Sequence, residues 1–134
     1  MWIDVVKFGQ KCAFSQDAMD ALIQAESKLE ANHGLSVFST CREQLFLGKG
    51  DPWKQINALA EETGVHRFTV HQLFLIYCAE ETKARYEKAG YSEELYWDAV
   101  KDLKYKMEVT WEMYGIWGTY CGPWLASFLL MNTQ

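Results

Sequence analysis

The residues of this chain that could carry chemistry are three histidines, four cysteines and the aspartates Asp98 and Asp102. His66 and His71 stand five positions apart, which does not place them on one helical face. Neither a His-Glu-x-x-His segment nor the paired Glu-x-x-His segments of a di-iron bundle occur, so no metal site is expected. His33 precedes Gly34, and a histidine suits a helix C-terminus, where the dipole favours a cation. His71 lies beside an apolar stripe and is expected to be a hydrogen-bonded core histidine rather than a base. Asp98 and Asp102 are i, i+4 on a helical segment and so lie side by side. Two close carboxylates can raise one pKa and make a general acid. Lys101, Lys104 and Lys106 are within reach, however, and ion pairing along one helix explains the pattern more simply.

Other chemistries lack their spacing. Gly115-Ile116-Trp117-Gly118 is no phosphate loop, having neither the glycine pattern nor a nearby base, and reads as a helix-breaking corner. No Gly-x-Ser-x-Gly elbow and no local cysteine–histidine signature is present. Cys12, Cys41, Cys78 and Cys121 contain no Cys-x-x-Cys, and the N-terminus lacks a charged region followed by an apolar one. Free thiols in a reducing cytoplasm are therefore expected.

Aromatic density is what stands out. Between Tyr91 and Trp124 lie Tyr96, Trp97, Tyr105, Trp111, Tyr114, Trp117 and Tyr120, but no phenylalanine. Phe is a pure core filler, whereas Trp and Tyr carry a polar end that wants a partner or water. Such a segment lines an interface or a pocket, or else forms an aromatic core with its N–H and O–H groups satisfied. Trp97, next to Asp98 and near Lys101, falls on the less apolar side of its helix and favours the interface.

Helices must position these groups. Residues 1–14 read as a short lead-in, ordered or frayed. Ser15 is an N-cap for a helix over 16–32, with Gly34 as the glycine beyond its end. A second helix follows over 35–47, with a short strand as the alternative for 44–47. Asp51-Pro52 starts a third, because proline at the first helical position loses no bond, and Gly64 stops it. A fourth runs over 70–89 with the stripe Val70, Leu73, Phe74, Tyr77 and Cys78, and Gly90 closes it. Ser92 caps a fifth, whose buried face is Leu95, Tyr96, Ala99, Val100, Leu103 and Met107. Gly115 and Gly118 bend the chain before a last helix over 120–131. The fold class is all-α, an irregular bundle of five to seven helices in a single domain, 1–134.

Composition limits the partners. Of 134 residues 49% are hydrophobic, too many for a disordered chain, and a chain of this length buries roughly two-thirds of its unfolded surface. The 13 basic and 18 acidic side chains give a net charge of −5, spread over both halves, so no nucleic-acid partner is expected. No apolar run approaches the ~20 residues needed to span a bilayer, so no membrane partner is expected either.

The aromatic segment also resembles a known family. Tyr96-Trp97-Asp98-Ala99-Val100-Lys101-Asp102-Leu103-Lys104-Tyr105-Lys106, followed by Tyr114-Gly115-Ile116-Trp117-Gly118-Thr119-Tyr120 and by Trp124, resembles the N-terminal helical domain of bacterial two-domain acyltransferases. In that group a GNAT-type domain follows. The family often has Thr where this chain has Ala99, and a histidine near the position of His71. Outside the segment the agreement is one of helical layout. The resemblance implies that acyl-CoA binding and acyl transfer belong to the GNAT-type domain. It implies no cofactor for the present chain, which stops at Gln134, close to where that domain would begin. The chain would then be an isolated domain or a truncated relative, inactive alone.

Three functions fit. The first is a non-catalytic accessory domain that docks on a GNAT-type acyltransferase domain or shapes its acceptor site, with Trp97, Asp98, Tyr114, Trp117 and Trp124 on the docking face or in the pocket. The second is a helical interaction module, unrelated to acyl transfer, that forms a homodimer through the same aromatics. The third is a small-molecule pocket with Asp98 or His71 as its polar group.

Overall fold

A computed structural model describes residues 3–114 and 118–130, with the backbone alone described at Tyr114 and at 118–122. The described residues form seven helices and no strand, so the fold is all-α. They are α1 (Val5–Lys11), α2 (Gln16–Ala31), α3 (Gly34–Leu47), α4 (Pro52–Thr63), α5 (Arg67–Lys88), α6 (Glu93–Tyr114) and α7 (Gly118–Leu129). The chain divides into two compact units, Met1–Tyr77 and Cys78–Gln134, the boundary falling inside α5.

In the first unit α3 packs on α4, and α2 touches α1, α3 and α4. Three sequence signals act as caps. The Ser15 hydroxyl accepts from Ala18 N at 3.1 Å, Asp51 accepts from Lys54 N at 3.2 Å, and Gly64 closes α4 at φ +73°. The core sets Phe74 against two rings, edge-on to Phe38 at 5.3 Å and to Trp53 at 5.9 Å.

Two readings are corrected here. The lead-in is a helix, α1, capped by the Asp4 carboxylate on Lys7 N at 3.0 Å, with Val5 and Phe8 buried. Seven residues give too little periodicity to read, and Gly9 lowers helix propensity. Gly9 lets α1 pass close to α2, where an added Cβ would have to displace the flexible thioether end of Met19. Gly34 does not end α2. His33 takes the left-handed conformation at φ 60° instead, and Gly34 opens α3 where an added Cβ would lie 2.8 Å from the Leu29 carbonyl oxygen. The helix expected over 35–47 is present as α3, and the strand alternative for 44–47 is not taken.

In the second unit α6 packs on α7. Ser92 caps α6 by accepting from Leu95 N at 3.1 Å. The Tyr96 hydroxyl donates to the Ala79 carbonyl on α5 at 2.7 Å, fixing α6 to that helix. Arg85 Nη1 donates to the Leu129 carbonyl at 2.7 Å, where an α7 carbonyl has lost its helical partner. Tyr86, Tyr96 and Phe128 form the aromatic core, with ring centroids 5.3–6.2 Å apart. The buried face of α6 is Tyr96, Trp97, Val100, Leu103 and Met107. Leu95 is exposed and Ala99 half-buried, against expectation, because the face is rotated so that Trp97 turns inward. Gly115 lies outside the described residues; α7 begins at Gly118, two positions before the expected start.

Candidate functional site

The three histidines have structural roles. His33 joins α2 to α3. His66 caps α5, its Nδ1 accepting from Phe68 N at 3.1 Å. His71 is 4% exposed, stacks on Trp53 at 5.9 Å and donates from Nε2 to Asn57 Oδ1 at 2.9 Å. Burial first, and the neighbouring Arg67 charge second, push its pKa down to about 3. The imidazole is therefore neutral at physiological pH. Cys41 is likewise buried, its thiol donating to the Pro52 carbonyl at 3.5 Å, and burial raises its pKa to about 11. It is no thiolate nucleophile. Among the described residues no cluster of His, Cys, Asp and Glu could hold a metal ion.

The second unit carries a cleft of about 400 Å³ within the usual range of small-ligand sites. Its apolar lining is Tyr86, Leu95, Leu103 and Phe128; its polar lining is Asp98, Asp102, Lys106 and Ser127, and Trp124 forms part of the wall. α6 delivers Asp98, Asp102 and Lys106 at i, i+4 spacing, so all three point the same way. α7 delivers Trp124, Ser127 and Phe128. Arg85 tethers the end of α7 and Tyr96 anchors α6, so both walls are held from α5.

The charges are unevenly matched. Lys106 Nζ lies 2.8 Å from Asp102 Oδ2 and 4.5 Å from the centroid of Trp124. Lys104 pairs with Glu108. Asp98 has no ion pair among the described residues. Tyr86, 2% exposed at the cleft floor, has its pKa raised by burial and then by Tyr91, so its phenol stays protonated.

Of the five residues expected to form a site, the structure brings two together here, Asp98 and the 43% exposed Trp124. Trp97 is not on the less apolar side as expected. It is 4% exposed, packs edge-on to Tyr96 at 5.0 Å, and its indole N–H reaches Glu93 Oε1 at 3.4 Å. The Tyr114 side chain and Trp117 lie outside the described residues. Sequence reasoning missed Lys106 as a cleft residue. Its pairing with Asp102 is legible as i, i+4, but its contact with Trp124 is made between helices.

Among the described residues no helix is long and apolar enough to cross a membrane. Comparisons with curated proteins and with solved structures bring no match. The profile of the N-acyltransferase N-terminal domain matches residues 4–131, which run through both units and include every residue of the cleft. The chain belongs to the N-acyltransferase N-terminal domain family.

Proposed function

We propose that residues 1–134 form one accessory domain, inactive alone, which works with a GNAT-type acyltransferase domain in the same or another chain and presents the α6–α7 cleft to the acceptor substrate. The observation that carries this is the cleft itself. It joins an open carboxylate, Asp98, to an exposed indole, Trp124, in a chain matched to an N-terminal acyltransferase domain over 4–131. Acyl-CoA is assigned to the partner domain, since the sequence offers no glycine-rich pyrophosphate loop. The buried free thiols Cys12, Cys41 and Cys78 support a reducing, cytoplasmic setting, and the family resemblance supports a bacterial one. Thiol release from acetyl-CoA, measured with a panel of amines, tests the reading. Residues 1–134 alone give no turnover, and transfer by a supplied GNAT-type domain gains efficiency when the chain is added. Turnover by the chain alone contradicts it.

A second reading, a homodimerisation module, is favoured by Tyr105 and Met113, which are 65% and 66% exposed on α6. It predicts a concentration-dependent sedimentation coefficient that Met113→Glu abolishes. The accessory-domain reading predicts a monomer at all concentrations.

A further inference from the structure

The cleft already holds one cation. Lys106 presents a primary ammonium on an alkyl stem, bonded to the Asp102 carboxylate at 2.8 Å and standing 4.5 Å from the Trp124 ring centroid. Carboxylate and indole face together form an ammonium box, and their chemistry is shown by the group that occupies them. One turn earlier, Asp98 lines the same cleft and has no ion pair among the described residues. Leu95, Leu103 and Phe128 add apolar surface on which a methylene chain can lie.

From this geometry we propose that the cleft binds the ammonium end of a small aliphatic diamine, with Asp98 and Trp124 as the binding groups and Lys106 as the internal cation that competes for the site. The inference rests on the acceptor-side reading above. Carboxylates beside an amine hold it protonated, and a protonated amine has no lone pair to attack an acyl group. The ammonium bound here is therefore an anchor, and the second amino group is the one left free to reach the partner domain.

The test is a titration of the isotopically labelled chain, residues 1–134, with 1,5-diaminopentane, followed through the Trp124 indole and the Asp98 and Asp102 amides by NMR. Saturable shifts confined to the cleft are expected, with 1-pentanol giving none. Asp98→Asn weakens binding about tenfold, the loss of one charge-assisted contact. Lys106→Met, which keeps the stem and removes the competing charge, tightens binding severalfold. The same spectra report whether each variant is folded, and Asp98→Ala stands in if the amide variant is not. Three outcomes overturn the proposal: no saturation by the diamine, equal shifts with 1-pentanol, or unchanged affinity in both variants. No acyl donor is present, so failure here leaves the accessory-domain reading standing. Turnover by the chain alone would overturn that reading without touching this titration.

Discussion

His71 in the first unit and Asp98 in the second are both titratable groups on amphipathic helices, and they meet opposite surroundings. His71 is buried, stacked on Trp53 and bonded to Asn57, and its pKa is pushed down to about 3 by burial and then by Arg67. Asp98 is exposed on a cleft wall that also contains an indole and a lysine. A polar group consumed by its own fold contributes to stability and offers little to a ligand. One left open contributes little to stability and is available. The contrast gives His71 a structural role and, in the reading proposed above, leaves Asp98 available to a ligand.

Core truncation gives the largest effect. Phe74→Ala removes a fully buried ring that meets Phe38 and Trp53, and costs about 3–5 kcal/mol in urea unfolding. A loss under about 1 kcal/mol would show that this core is loosely packed.

The next effect depends on pH. The unfolded chain takes up a proton on His71 below pH 6.5, whereas the native chain refuses it until about pH 3. The native state thus binds fewer protons across this window, and stability falls as pH drops through it. The loss attributable to His71 is about 2 kcal/mol at pH 5. His71→Gln removes that dependence, so the gap between wild type and variant closes by this amount from pH 7 to pH 5. A constant gap would mean that the native histidine protonates normally.

Tyr96→Phe, which deletes the hydroxyl bonded to the Ala79 carbonyl, costs about 1 kcal/mol. Asp98→Asn and Trp124→Ala are the smallest, within about 0.5 kcal/mol, because both side chains are exposed. A large loss in either would show that the cleft residues are structural after all.

The helices were legible where the sequence carries caps. Ser15, Asp51-Pro52 and Ser92 start helices as expected, and Gly64 ends one. α1 was not legible, because seven residues with an internal glycine show no period and its glycine answers to Met19 on another helix. The α2–α3 corner departs from expectation because His33 holds the left-handed position, while Gly34 is reserved for close approach to Leu29. On α6 a shift of one position in the buried face turned Trp97 inward and Leu95 outward; spacing alone does not fix that rotation. The Asp98–Asp102–Lys106 row could be read from i, i+4 spacing. Its union with Trp124 could not, since that depends on how α7 packs against α6.

The most direct test sets the two regions against each other in one assay. Acyl transfer by a GNAT-type domain supplied with this chain is measured for wild type, Trp124→Ala and His71→Gln, at a pH where all three are folded. Trp124→Ala is expected to lose about tenfold in acceptor kcat/KM with unchanged Tm, the loss of one aromatic contact to a cation. His71→Gln is expected to change Tm and leave kcat/KM unchanged. A normal kcat/KM for Trp124→Ala, with a loss of activity in His71→Gln, would contradict the proposed role of the cleft.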